Sequence, residues 1–498
     1  MAAARITLDP AYTVAEVDPR LYGSFVEHLG RCVYTGIVEP DHPKADAAGF
    51  RSDVADLVRD LDVPIVRYPG GNFVSGYRWE DGVGPVADRP ARLDLAWRSV
   101  ESNRFGTDEF VAWCALVGSA PMLAVNLGTR GVAAACALVE YCNHPGGSYW
   151  SDLRVRNGHR EPHRVRTWCL GNEMDGPWQI GHKTALEYGR LAAETAKAMR
   201  LVDPGVELVA CGSSHHRMPT FGAWEAEVLS HCYEYVDHVS LHAYYEERPG
   251  DRGSFLACAM DMDAMIEDVV STVDHVRARG RHRKRLALSF DEWNVWYMSR
   301  RGTEPDWEQA PRLLEDVYSV VDAVVVGNLL ISLLRHADRV RIGCLAQLVN
   351  VIAPIATEPG GPAWRQTTYH PFALTSRYGR GTVLRTLVDS PRYQTHWFGE
   401  TPVLDAVAVR RAEPDEVTVF AVNRDQRESL PVRLDLRGFP ALRRATHTVL
   451  ADADPSAVNT AADPDRVVPR QGEPVPVTDG ALELALPPLS WNMLRLGP

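Results

Sequence analysis

The sequence lacks several features that would settle its chemistry early. It has no Cys-x-x-Cys pair, and its nine cysteines are scattered and odd in number. A structural zinc site or a disulfide framework would show paired spacing, so reduced thiols in a cytoplasmic protein are expected. A cationic excess is also missing: 53 Lys and Arg stand against 65 Asp and Glu, a formal charge of −12. Phosphate binding needs clustered cations, which argues against nucleic acid and anionic membrane as partners and leaves room for a neutral ligand such as a sugar. There is no GxGxxG or GxxxxGK[ST] phosphate turn and no HExxH metal motif. The first ten residues lack the apolar stretch of a secretory signal, which again points to the cytoplasm. Residues 313–334 form a long apolar segment, but Glu315, Asp316 and Asp322 interrupt it. A buried helix is expected there, not a membrane span.

The chain does have size and a clear rhythm. Its 498 residues, 45% apolar and 24% charged, describe a globular chain larger than one ordinary domain. Short apolar runs at 21–27, 63–68, 121–127, 164–170, 206–212, 236–242, 285–290 and 341–348 suit parallel strands buried on both faces. Amphipathic helical stretches lie between them; over 183–201, Tyr188, Leu191, Thr195 and Met199 share one side and Glu187, Arg190, Glu194 and Lys197 the other. Eight such alternations predict a (β/α)8 barrel over residues 21–370, with a doubly wound sheet as the alternative. From 371 to 498 the pattern changes to alternating runs separated by turns, at 403–409, 416–422, 430–436, 446–450, 481–486 and 491–496. These predict an antiparallel β-sandwich, which a short strand within residues 1–20 is expected to join.

Barrels of this kind carry their working groups at the C-terminal ends of the strands. Those ends read Glu27-His28, Arg67 to Asn72, Asn126, Gly171-Asn-Glu173, His242 to Tyr245, Asp291 to Asn294 and Gln347. Glu173 and Glu292 stand out because each closely follows an apolar run, the fourth and the seventh. Two facing carboxyl groups are the usual equipment for glycoside hydrolysis, one protonated to donate and one ionised. Asn172 is placed to bond a sugar hydroxyl, and Trp293, Trp296 and Tyr244 to wall the site. Most acidic residues are solvated surface, and Glu39, Glu101 and Glu140 stay in that pool.

The segments Gly23 to Gly30, Arg67 to Gly82, Gly171 to Trp178, Ser240 to Tyr245 and Asp291 to Tyr297 closely resemble glycoside hydrolase family 51, and within it the intracellular α-L-arabinofuranosidases. The resemblance runs in order along essentially the whole chain. It implies a (β/α)8 barrel with a jelly-roll-like β domain, retention of anomeric configuration, release of terminal arabinofuranose from oligosaccharides, and a hexamer. Glu173 matches the acid/base and Glu292 the nucleophile. Glu27, Asn72, Asn172, Tyr244 and Gln347 match positions that hold the sugar, and Arg67 and Trp296 match supporting ones. No cofactor or metal is implied.

Other residues have plainer readings. His28, His215, His216 and His242 suggest a metal, as in sugar isomerases on this barrel, but no carboxylate–His spacing accompanies them, and hydrogen bonding behind the site is expected instead. Cys169 and Cys211 lie in strand runs and read as core. Trp97 and Trp178, with Trp293 and Trp296, lie where sugar faces stack. The alternatives are a related hydrolase with xylosidase or endoglucanase preference, or, in another class, a metal-dependent isomerase or a non-catalytic sugar-binding protein.

Overall fold

The computed structural model describes residues 3–300, 302, 306–413 and 415–498. Eight parallel strands close into a barrel in chain order. They are β1 (Gly23–Phe25), β2 (Ile65–Tyr68), β3 (Ala120–Val125), β4 (Thr167–Leu170), β5 (Glu207–Ala210), β6 (His238–Tyr245), β7 (Ala287–Val295) and β8 (Val340–Ala346). β8 closes on β1, with Cys344 opposite Gly23 and Ala346 opposite Phe25. Each strand overlaps one of the eight expected runs, and every residue of β2 and β4 is buried, as strands covered on both faces require. β6 and β7 run further than their apolar stretches suggested. They stay paired through His242–Glu292, Tyr244–Asn294 and Tyr245–Val295 after a register shift between Ser240 and His242. The polar residues of the two motifs therefore sit on strands, not in loops.

The helices between strands form for local reasons. The helix Ala185–Val202 starts at Thr184, whose hydroxyl accepts from the Glu187 amide while the Glu187 carboxylate accepts from the Thr184 amide, a reciprocal cap. After β8 the helix Tyr369–Tyr378 lies against the helix Ser52–Leu61; Tyr369 Oη donates to the Leu57 carbonyl at 2.8 Å and Ser376 Oγ to the Asp62 carbonyl at 2.7 Å. It thus belongs to the helical layer around the barrel.

Two sheets form the sandwich. One has the order Leu387–Asp389, Ala4–Thr7, Leu430–Asp435, Ala481–Leu486. The other is antiparallel through Leu404–Arg411, Glu416–Asn423, Ser490–Gly497 and Arg444–Leu450. Ile6, Val417, Val419, Leu434, Leu494 and Leu496 pack between the sheets. Ala4–Thr7 pairs in parallel with Leu430–Asp435, so the start of the chain is woven into its last domain.

The expected apolar helix is Val320–Arg335, buried from Val320 to Leu334. It starts later than the apolar segment because Asp322 accepts from both the amide and the hydroxyl of Ser319, capping the helix there. Glu315 lies outside it and pairs with Arg31 at 2.7 Å. A helix apolar all round needs cover on all sides, and here the barrel lies on one side and the sandwich on the other. Gly327 shows how close the contact is: a Cβ there would come within 2.1 Å of Trp491 Cδ1. Among the described residues no helix is long and apolar enough to cross a membrane.

Candidate active site

The strand ends open into a pocket of about 510 Å³ lined by Glu27, Asn72, Glu173, Tyr244, Glu292, Trp296 and Gln347. Arg67 and Asn172 lie just beneath it, both buried. Seven of the nine expected residues therefore reach the cavity wall, and the other two support it. The turn after β2 comes unusually near Glu27. A Cβ on Gly71 would stand 2.7 Å from Glu27 Oε2, so only glycine lets the backbone pass. The Phe73 amide and Trp97 Nε1 donate to Glu27 Oε1 at 3.0 and 2.9 Å, and Gln347 Nε2 donates to Oε2 at 3.0 Å.

One oxygen of Glu173, one of Glu292 and a ring nitrogen of His242 all lie within 4.8 Å of one another. Glu292 accepts from Arg67 Nη1 at 2.7 Å and from Tyr244 Oη at 2.8 Å. Glu173 accepts from Trp178 Nε1 at 2.7 Å and contacts His242 Nδ1 at 2.8 Å. Glu173 reaches this place through a left-handed backbone, φ +42°, a conformation L-residues hold only when their surroundings impose it. Arg67 Nη2 donates to Asn172 Oδ1 at 2.7 Å, which leaves Asn172 Nδ2 buried without a partner; Gln347 Oε1 is in the same state. Unsatisfied buried groups are costly, and here one is a donor and the other an acceptor.

Asp291 supplies a third carboxylate, buried between Arg67 and His242. A register shift between Phe290 and Trp293 lets two successive acidic residues of β7 both reach His242. Burial opposes charge on His242, but Glu292, Asp291 and Glu173 outweigh it and push its pKa up to about 10. Burial likewise works against the Asp291 carboxylate, yet Arg67 and His242 hold it below the usual range. Burial pushes Glu27 up to about 8, the nearby Glu292 charge adding to the effect. His242 has a carboxylate at each ring nitrogen, Glu173 at 2.8 Å and Asp291 at 3.0 Å, which suits a protonated donor.

Other expectations fall out differently. Trp293 does not wall the site: it is fully buried and faces Phe372 at a 6.4 Å ring separation, because strand alternation turns it away from Glu292. Trp296 does line the pocket, edge-on to Tyr244 at 5.0 Å. Trp97 and Trp178 serve as donors to carboxylates. His28 bonds Tyr68 at 2.7 Å and His216 bonds Asp261 at 2.9 Å, while His215 stacks on Trp178. Cys169 and Cys211 are buried free thiols, and burial pushes Cys211 up to about 12. Sequence reading gave Asp291 no role, though its place beside Glu292 at a strand end was a signal. It missed Trp397 and Phe398, which reach the pocket from the sandwich.

An eight-stranded parallel barrel with two carboxyl groups this close, at the ends of its fourth and seventh strands, has the layout of a glycoside hydrolase. Residues 57–264 match the model of the α-L-arabinofuranosidase 1 domain and residues 291–490 that of the α-L-arabinofuranosidase C-terminal domain. The chain is 63% identical to an intracellular exo-α-(1→5)-L-arabinofuranosidase of Streptomyces lividans, over 99% of this chain and 75% of that one. It is 54% identical to an enzyme of the same description from Bacillus subtilis, over 100% and 99%. The solved structure of a family 51 α-L-arabinofuranosidase from Bifidobacterium longum superposes with a TM-score of 0.95 at 47% identity, covering both chains completely. The chain belongs to glycoside hydrolase family 51.

Proposed function

We propose that this protein is an intracellular, retaining exo-α-L-arabinofuranosidase that removes terminal arabinofuranosyl units from oligosaccharides, with Glu173 as acid/base and Glu292 as nucleophile. The observation that carries the reading is the pair of carboxyl groups within 4.8 Å. That spacing matches the gap of about 5 Å of double displacement and leaves no room for a water between them. The names of the relatives support the substrate, the exo action and the intracellular setting.

Charge counting supports the division of roles. Around His242 stand three carboxyl groups (Glu173, Asp291 and Glu292) and two cations, Arg67 and protonated His242. Electroneutrality in a buried site assigns the remaining proton to one carboxyl. Glu292 accepts from the guanidinium and the tyrosine hydroxyl, which suits the nucleophile, whereas Glu173 accepts from an indole and shares His242 with Asp291, which suits the group that gives up and regains a proton. In the first step Glu173 protonates the glycosidic oxygen while Glu292 attacks the anomeric carbon. In the second, ionised Glu173 takes a proton from the water that displaces Glu292. Asn172 Nδ2 donates to the hydroxyl next to the anomeric carbon, where contacts strengthen as charge develops. Glu27, Asn72 and Gln347 hold the other hydroxyls, with Trp296 as a wall.

NMR of the first sugar released from an α-L-arabinofuranoside tests activity and stereochemistry together. The α anomer is expected first; β first, or no turnover of any furanoside, overturns the reading. Family membership supports a hexamer, and light scattering giving the mass of a single 55.2 kDa chain would refute it.

A further inference from the structure

The pocket does not end at the barrel. Its outer wall includes Trp397 and Phe398, carried by the loop of a hairpin, Arg392–Gln394 with Glu400–Pro402, in the C-terminal part of the chain. That loop is fastened to the barrel. The amides of His396 and Trp397 donate to Ser254 Oγ at 3.1 and 3.3 Å, and Tyr393 Oη donates to the Gly253 carbonyl at 2.9 Å. Gly253 and Ser254 belong to the short helix Arg252–Leu256, which follows β6, the strand that brings His242 and Tyr244. Despite these ties Trp397 remains 46% exposed. Fixing a large aromatic group in the mouth of a pocket and leaving it open to solvent forgoes the gain from burying it.

The charges beside it are unusual as well. Arg248 and Arg217 lie over the Trp397 ring at 4.4 and 5.2 Å from its centroid. Among the described residues neither guanidinium has a carboxylate partner, and both line the pocket. Two cations held beside an exposed indole offer an apolar surface with adjacent hydrogen-bond donors, the combination that takes a sugar ring by its C–H face and its hydroxyls.

The acid/base fixes which part of the substrate would arrive there. Glu173 must face the glycosidic oxygen, so the leaving group lies on its side of the pocket. From Glu173 the wall runs outward through Trp178, hydrogen-bonded to it, to His215 stacked on Trp178, and then to Arg217 and Trp397. We propose that Trp397, with Arg217 and Arg248, forms a binding site for a neutral sugar of the leaving group, so that the sandwich domain selects the substrate beyond the scissile bond. This rests on the assignment of Glu173 as acid/base.

Kinetics on two substrates test it: methyl α-L-arabinofuranoside, whose leaving group ends at one carbon, and α-1,5-linked arabinotriose. In Trp397→Ala the ratio of kcat/KM for the triose to that for the methyl glycoside falls about tenfold, through KM. Trp397→Phe restores most of the ratio. The Arg217→Ala/Arg248→Ala double variant, which keeps the indole, lowers it about threefold, and it carries the measurement should Trp397→Ala not fold. An unchanged ratio in the folded variants, or equal losses on both substrates, overturns the proposal. Failure of the wild-type enzyme to turn over either furanoside would instead overturn the assigned activity.

Discussion

The mouth of the barrel and the seam between barrel and sandwich both hold clustered charges, but they are completed differently. At the seam Arg335 bridges Asp263 and Asp405, and Arg424 pairs with Asp405 at 2.9 Å. Asn328 donates to Asp405 at 2.8 Å and accepts from Arg424 at 2.6 Å. Two cations meet two anions, and none of these side chains has a buried atom left unpaired. At the mouth, around His242, two cations meet three carboxyl groups with Glu27 as a fourth nearby, and Asn172 Nδ2 and Gln347 Oε1 have no partner. The seam is finished by the chain itself, while the mouth keeps a surplus carboxyl group and unpaired polar atoms. Buried polar clusters that stabilise are satisfied internally, and those that act keep a deficit.

The sharpest way to break this contrast is to remove Glu292. In Glu292→Ala, kcat falls more than about 10⁴-fold, the usual consequence of losing a covalent nucleophile. Because groups placed for catalysis are held at some cost in stability, the melting temperature is expected to equal or exceed that of the wild type. A clear loss of stability would show the mouth to be as self-sufficient as the seam. Glu173→Ala comes next. Its kcat/KM on natural linkages drops by about 10²–10⁴-fold, the range of general acid catalysis. On activated aryl glycosides the covalent intermediate accumulates, and azide speeds turnover with retained configuration. Wild-type rates on natural linkages would remove Glu173 from its role.

The seam should give the reverse result. Asp405→Ala strands the buried Arg424, leaves Arg335 with Asp263 alone, and is expected to cost about 3–5 kcal/mol in urea unfolding, the usual effect of breaking a buried pair. Turnover of a small glycoside by the folded fraction should change less than about threefold, since Asp405 touches no pocket group. Losing activity without losing stability would undo the distinction.

How much of this was legible in the sequence follows the same division. The barrel and both glutamates were readable because parallel strands are continuous apolar runs and the site lies where they stop, as at Leu170 before Glu173 and Phe290 before Glu292. The facing direction of Trp293 was not, because β7 continues through the motif and alternation there turns the indole outward. Trp397 gave no signal at all. Its anchor Ser254 is 142 residues from the neighbouring His396 in the chain, and only the docking of the sandwich brings them together.

The smallest expected effect concerns protons. Glu27, buried and near Glu292, has its pKa pushed up from 4.5 to about 8, and His242, among carboxylates, from 6.5 to about 10. The folded state then binds the Glu27 proton more tightly than the unfolded chain does. Its contribution to stability is complete below about pH 4.5 and is lost as pH rises toward 8; that of His242 is complete below about 6.5 and is lost toward 10. The melting temperature should therefore fall between about pH 4.5 and 10 in two overlapping stages, and kcat/KM should decline near pH 8 as Glu27 ionises inside the pocket. Glu27→Gln separates the stages. It keeps an oxygen for the Phe73 and Trp97 donors, and Gln347 Oε1 becomes free to accept from the new amide. The variant should lose the slope between about pH 4.5 and 6.5, show a shallower one between 6.5 and 8, and keep the slope above 8. A parallel pair of melting curves across the whole range would mean that Glu27 is already ionised at neutral pH, and that the pocket holds one more uncompensated charge than the balance at its mouth allows.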